Sequence, residues 1–149
     1  DMMNCKELAG ELLDLRLRML HEPAEQILVS FHKGGQFVLD YLANQKNGIS
    51  PQKNISRDMI VSSARITVLL KNLEEKGYIR RMKDPFDSRQ ELVSITESGR
   101  DAIGRLRDVL ITRTAEVLEA LGSHDAEEYF RIQKRIFELT YNTRKDECL

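Results

Sequence analysis

The spacing of apolar residues predicts helices at the N-terminal end of the chain. Leucine and methionine recur so densely over residues 5–20 that they would cover most of the circumference of a helix. A helix of that kind must be buried by another surface. Pro23 interrupts the pattern, and further helical stretches are predicted over residues 24–32 and from Gln36 to Gln45, separated by the Gly34-Gly35 pair.

The middle of the chain predicts two short helices. Ser50-Pro51 has the form of a helix start, with serine as the cap and proline at the first helical position, and Ile55 and Met59 would face inward. Ser62 or Ser63 would cap the second helix. Its apolar residues have the spacing of one buried face: Ile66, Leu69, Leu70 and Leu73. Gly77 would end it.

The periodicity then changes from helical to alternating. Residues 78–83 and 90–95 predict two strands, and the turn-rich segment 84–89 would join them as a hairpin. Two short helices followed at once by a hairpin predict a winged helix-turn-helix, in which the second helix enters the DNA major groove.

Two more helices are predicted towards the C-terminus. Thr96 would cap the first, which runs to about Leu121, and Gly122-Ser123 would end it. Asp125 and Glu128 are predicted to form a variant of the capping box for the last helix, which runs to about Tyr141.

The predicted fold class is mainly α with a small β-hairpin wing. We expect N-terminal dimerisation helices over residues 1–33, a winged helix-turn-helix over 34–100 and C-terminal dimerisation helices over 101–149. Both ends carry more apolar residues than a small DNA-binding core could cover, which favours burial across a two-fold axis. These include Leu8, Leu12, Leu15, Val109, Leu110, Val117, Leu118, Leu121, Phe130, Ile136, Phe137 and Leu139.

Charge changes the interpretation of this pattern. The chain of 149 residues has a formal net charge of −1. However, residues 50–90 contain nine Lys/Arg and five Asp/Glu, so this segment is positive in an otherwise weakly acidic chain. A localised cationic surface is what contact with DNA phosphates requires.

The cations and small residues of this segment define a predicted DNA-binding surface. On the second short helix, polar and small side chains would reach phosphates, base edges or thymine methyl groups. On the wing, Arg89 would enter the minor groove, with Asp87 holding its guanidinium. The expected DNA-binding residues are Ser62, Ser63, Ala64, Arg65, Thr67, Val68, Lys71, Arg80, Arg81, Lys83, Asp87 and Arg89.

Two sequence segments resemble one known family. The run from Asp84 to Arg89, followed by Val93 to Gly99, resembles the D-P-x-D-x-R…V-x-L-T-x-x-G signature of MarR-type regulators. The upstream segment from Val61 to Arg81 resembles that family's V-S…L-E-x-K-G-L-I-x-R stretch. The resemblance is close over roughly residues 49–100 and extends by helix order to the whole chain.

The resemblance implies a homodimer with interlocking terminal helices that binds near-palindromic duplex DNA. It implies a transcriptional regulator, usually a repressor, whose DNA affinity a small and often aromatic effector modulates. By motif match, Ser63, Arg65, Thr67 and Lys71 fall on the recognition helix, while Asp87 and Arg89 fall on the wing.

Other functions are compatible with parts of the sequence. A winged helix that binds protein would share the fold, and Cys5 could make the chain a redox-sensing regulator. Phe31, Phe37 and Tyr41 could line a cleft for an aromatic effector, or belong to the core. No phosphate loop, metal-ligand cluster or nucleophile motif is present in the sequence, so we predict no enzyme activity, no metal and no cofactor. The two cysteines, Cys5 and Cys148, and the lack of an apolar signal segment predict a cytoplasmic protein.

Overall fold

A computed structural model describes residues 4–31, 34–59 and 61–146, and in it the side chains of residues 24, 31 and 141–146 also remain undescribed. The chain divides into two compact units, Asp1–Leu110 and Ile111–Leu149. The helices are α1 (Cys5–Met19), α2 (Pro23–Phe31), α3 (Gly35–Ala43), α4 (Gln52–Met59), α5 (Ser63–Glu75), α6 (Glu97–Leu121) and α7 (Ser123–Asp146). The strands are β1 (Ile49–Pro51), β2 (Ile79–Lys83) and β3 (Glu91–Ile95).

Side-chain caps fix where α5 and α6 begin. Ser62, one of the two serines predicted for this role, caps α5 by accepting the backbone N–H of Arg65 at 3.3 Å. The hydroxyl of Thr96 caps α6 by accepting the N–H of Gly99 at 3.0 Å, and it donates to the carbonyl of Gly77 at 2.6 Å. One threonine therefore ties the start of α6 to the turn that follows α5.

The predicted helix start at Ser50-Pro51 is wrong. Both residues belong to β1, and α4 begins only at Gln52. The strand pairs antiparallel with β3, with Ser50 opposite Val93. The sheet order is β1-β3-β2, so β1 lies at an edge, where a proline without an N–H is tolerated.

The predicted capping box of the last helix is also wrong. Helix α7 begins at Ser123, so Asp125 lies within its first turn. Glu128 does not reach back to the helix start but accepts the guanidinium of Arg131, one turn later, at 2.9 Å.

A single cluster of buried hydrophobic residues holds the first unit together. It joins the buried faces of α3, α4 and α5 to β2, β3 and the start of α6. Its members are Val38, Leu39, Leu42, Ile55, Ile66, Leu70, Leu73, Ile79, Val93, Ile95 and Ile103. Helix α5 buries Ile66, Leu70 and Leu73 here, which leaves its opposite face towards solvent.

The terminal helices leave much of their apolar surface uncovered in the single chain. In the first unit, every described side chain of α1 is exposed, including Leu8, Leu12 and Leu15. In the second unit, the exposed hydrophobic residues include Val117, Leu121, Phe130, Ile136, Phe137 and Leu139. None of the helices in the described ranges has the length and apolarity needed to cross a membrane.

Candidate nucleic-acid interface

The outward face of α5 is exposed as its periodicity predicts. Small, polar and cationic side chains occupy it: Ser63, Ala64, Arg65, Thr67, Val68 and Lys71 are all exposed. The hydroxyl of Thr67 donates to the carbonyl of Ser63 at 2.8 Å, which leaves its oxygen lone pairs as the outward acceptor. This face of α5 takes no part in the hydrophobic core, and Arg65 and Lys71 make it cationic.

The wing is a hairpin of β2 and β3 whose loop is held by two aspartates. Asp84 accepts the backbone N–H of Phe86 at 2.8 Å, and Asp87 accepts the backbone N–H of Arg89 at 3.0 Å. Backbone hydrogen bonds close the loop between Asp84 and Gln90, and between Gln90 and Asp87, each at 2.9 Å. Such turns, in which an aspartate accepts a nearby backbone N–H, stiffen a loop.

The contact between Asp87 and Arg89 differs from the predicted one. The carboxylate of Asp87 bonds the backbone amide of Arg89, and among the described residues no ion pair involves the Arg89 guanidinium. Asp87 thus shapes the loop from which Arg89 projects, while the guanidinium itself stays exposed.

The cations on β2 do not all have the same surroundings. Arg80 and Lys83 are exposed, opposite Ser94 and Glu91 of β3. Arg81 instead turns towards α5 and pairs with Glu74 at 3.3 Å, with its side chain only 21% exposed. The hydrogen bond from Arg81 lowers the pKa of Glu74. Arg81 therefore anchors the wing to α5.

An open groove of about 990 Å³ lies between α4, the start of α5 and the loop end of the wing. Its lining includes cations from two elements, Lys53 and Arg57 of α4 and Arg89 of the wing, together with Ser63 at the start of α5. Asp87 and Glu91 also line it. The side-chain oxygen of Gln52, another lining residue, is buried and lacks a hydrogen-bond partner within the described structure.

Lys53 and Arg57 were not among the residues predicted from the sequence. They are four residues apart on α4, so they share one face, and Ile55 between them is fully buried. This i, i+4 pair of cations was a usable signal, but only the fold shows that it lies beside Arg89.

A chain of polar contacts leads from α3 to this groove. The hydroxyl of Tyr41 donates to Asp58 Oδ2 at 2.8 Å, and Arg57 Nε donates to Asp58 Oδ1 at 2.9 Å. Hydrogen bonds from Arg57 and Tyr41 lower the pKa of Asp58. Burial and the bond to Asp58 raise the pKa of Tyr41. At neutral pH the carboxylate is therefore charged and the phenol protonated.

The residues predicted to line an effector cleft are only partly described. Phe37 and Tyr41 are half-buried and stacked, with ring centroids 6.1 Å apart and an interplanar angle of 22°. The side chain of Phe31 lies outside the described residues. Cys5 is exposed and free. Cys148 falls outside the described ranges.

Comparison with known proteins agrees with this geometry. Residues 36–113 match the family model described as "Winged helix DNA-binding domain". The chain is 43% identical over 47 residues to the HTH-type transcriptional regulator SarZ of Staphylococcus haemolyticus, covering 32% of each protein. It is 28% identical over 76 residues to the regulator BilQ of Clostridioides difficile, covering 51% of this chain and 50% of that protein. The matches thus span a third to a half of those relatives.

Solved structures share the fold at low sequence identity. MepR, a transcription regulator of the Staphylococcus aureus multidrug efflux pump MepA, superposes with a TM-score of 0.70 at 19% identity, covering 88% of this chain and 97% of that one. Sco3205, a MarR-family regulator from Streptomyces coelicolor solved in complex with DNA, gives 0.62 at 14% identity, covering 93% and 89%. The fold predicted from the sequence is confirmed, and the chain belongs to the winged helix DNA-binding domain family, with the fold of MarR-family regulators.

Proposed function

We propose that this protein is a sequence-specific, double-stranded DNA-binding transcriptional regulator of the MarR type. The proposal rests on the exposed outward face of α5 and the cationic wing beside it. The side chains on both surfaces lie outside the hydrophobic core and are open to a partner. HTH-type regulators among its sequence relatives, and a DNA complex among its structural relatives, support the same function.

In this proposal α5 enters the major groove and the wing reaches the minor groove. Arg65 can read a base edge or bind phosphate, and Arg89 projects from a stiffened loop suited to the narrow minor groove. The other contacts would come from Ser62, Ser63, Ala64, Thr67, Val68, Lys71, Arg80 and Lys83, with Arg81 and Asp87 supporting the wing.

The regulator acts as a homodimer on a near-palindromic operator, with repression as the expected outcome. The uncovered apolar surfaces of α1 and of the second unit support dimerisation through both chain ends, as assigned to residues 1–33 and 101–149. A small aromatic effector would act near Phe37 and Tyr41. We further propose that the protein works in the cytoplasm and has no catalytic role.

The test is DNA affinity measured on a duplex selected from a random pool and on a scrambled duplex, each at two salt concentrations. Arg89→Ala weakens binding to both duplexes by about tenfold, because it removes a groove contact on each half-site. Arg65→Ala weakens binding to the selected duplex more, which reduces the ratio between the two.

Arg107→Ala is the matched control, since Arg107 is an exposed arginine on α6 that does not line the groove. No measurable binding to either duplex at either salt concentration would favour the alternative of a winged helix that binds protein. Unchanged affinity in both Arg65→Ala and Arg89→Ala would contradict DNA recognition through this surface.

A further inference from the structure

A hydrogen-bonded chain of three side chains runs from helix α3 to the groove that α4, the start of α5 and the wing line. Tyr41 of α3 donates to Asp58 at 2.8 Å, and Asp58 holds Arg57 through Nε at 2.9 Å, with Nη2 at 3.5 Å from the second carboxylate oxygen. Arg57 lines the groove together with Arg89.

We propose that Arg57 binds a DNA phosphate in this groove and that Asp58, anchored by Tyr41, is the positioning residue that orients it. The inference rests on the proposed function and extends it to a contact outside the recognition helix and wing. The phosphate in question belongs to the backbone between the two DNA grooves that α5 and the wing would enter.

The groove is net positive, because three cations line it against the two carboxylates of Asp87 and Glu91. Lys53, Arg57 and Arg89 line it from two elements, and the start of α5 adds Ser63, whose hydroxyl can donate. The sugar-phosphate backbone of DNA separates the major groove from the minor groove. When α5 enters one groove and the wing the other, that backbone crosses the space between α5 and the wing, which is where these cations lie.

An arginine in this place gains from being held in advance. The side chain of Arg57 is 68% exposed, so without a partner it would occupy many rotamers and lose that freedom on binding. Asp58 takes up the edge of the guanidinium that carries Nε and Nη2. The remaining N–H groups are left for a phosphate, which arginine can bind through two donors at once.

Tyr41 gives Asp58 its fixed position. Asp58 follows Arg57 directly in the chain and its side chain is 39% exposed, so it needs a support from outside α4. Tyr41 lies on α3 between Val38 and Leu42, which are both fully buried, and its ring stacks on Phe37. The support therefore comes from a helix that the core holds rigidly.

The sign of the change in DNA affinity distinguishes two possible roles of Asp58: positioning Arg57, or only adding negative charge near the phosphate. Asp58 is an anion near a phosphate site, so its charge alone opposes DNA binding. Neutralising it would then tighten binding, whereas removal of a positioning residue weakens binding. The two roles predict changes of opposite sign.

The experiment measures the affinity of the full chain for the selected duplex across a series of salt concentrations. Arg57→Ala weakens binding about fivefold and lowers the slope of log Kd against log salt by about 0.9 for each phosphate that the variant no longer neutralises. Asp58→Asn and Tyr41→Phe, which keep the arginine, each weaken binding about threefold, because the guanidinium must then be ordered when the DNA binds.

Matched controls come from a second ion pair in the same unit. Arg107 of α6 and Asp40 of α3 pair at 3.9 Å and do not line the groove. Arg107→Ala and Asp40→Asn change the net charge as Arg57→Ala and Asp58→Asn do, and they leave the affinity within about twofold of wild type and the salt slope unchanged.

A double-mutant cycle decides whether Asp58 acts through Arg57. In an Arg57→Ala background, Tyr41→Phe has no further effect on affinity, and Asp58→Asn, which then only removes an anion, no longer weakens binding. Tighter binding by Asp58→Asn in the wild-type background, or an equal weakening in both backgrounds, would overturn the positioning role. An unchanged salt slope in Arg57→Ala would overturn the phosphate contact.

The outcome also separates this inference from the proposed function. Weaker binding in the Arg65 and Arg89 variants with no change in Arg57→Ala refutes only the phosphate contact. A wild-type protein that enriches no duplex from the random pool refutes both the proposed function and this inference.

Discussion

Single residues set the closest packing in the first unit, and Gly99 is the clearest case. It lies at the start of α6, where the helix passes the backbone of Tyr78. A β-carbon built on Gly99 would lie 2.2 Å from the carbonyl oxygen of Tyr78 and 2.9 Å from a side-chain carbon of Ile95. The same carbonyl accepts the N–H of Thr96 at 3.0 Å, so it cannot move away without breaking that bond.

Gly99→Ala is therefore expected to lower the free energy of unfolding by about 3 kcal/mol, because a methyl group has no space there. Gly104→Ala on the same helix is the control, since no atom lies within 4 Å of its added β-carbon. We expect it to stabilise the protein by up to about 1 kcal/mol through helix propensity. Urea unfolding measures both. Equal stability of the two variants would show that α6 and Tyr78 are further apart.

At the scale of an element, the wing owes its shape to hydrogen bonds within its own loop. Asp84 and Asp87 each accept a backbone N–H two residues ahead, and two backbone bonds close the turn. At the base of the hairpin, Arg81 ties β2 to Glu74 of α5. Because both partners are exposed to some degree, this pair contributes orientation more than stability.

This arrangement predicts different effects for two substitutions of Asp87. Asparagine keeps an oxygen that can accept the N–H of Arg89, so Asp87→Asn retains DNA affinity within about twofold. Alanine removes the acceptor, so Asp87→Ala loosens the loop and weakens binding by about fivefold. Fluorescence anisotropy with a labelled duplex measures both. Much weaker binding by Asp87→Asn would favour the charge-based contact with the guanidinium over the observed backbone contact.

At the scale of the whole molecule, each of the two units has apolar surface that the single chain does not cover. In the first unit it lies on α1, where Leu12 is 45% exposed, and in the second unit it includes Phe130, which is 70% exposed. Monomers rarely expose contiguous apolar surface of this kind, so a second copy of the chain is the expected cover.

Light scattering at micromolar concentration is expected to give about twice the 17.2 kDa of one chain. The melting temperature should rise with protein concentration, because association stabilises the folded form. Leu12→Glu shifts the protein towards monomer, whereas Phe86→Ser, at a wing-tip side chain that is 97% exposed, leaves the mass unchanged. A wild-type monomer would contradict dimerisation.

The order of the helices, the hairpin and the exposed face of α5 can all be predicted from the sequence. These features depend on neighbours within a few residues: the caps at Ser62 and Thr96, and the spacing of Ile66, Leu70 and Leu73. Local periodicity and capping chemistry are readable without knowledge of distant partners.

Contacts between residues far apart in the chain depend on the folded arrangement of the elements. Strand β1 exists because Ser50 pairs with Val93, and a three-residue strand has no periodicity of its own. Arg81 turns to Glu74, and Tyr41 reaches Asp58, because the core brings separate elements together. Side-chain partners of this kind depend on how separate elements pack against one another. The order of residues along one helix or strand carries no information about that packing.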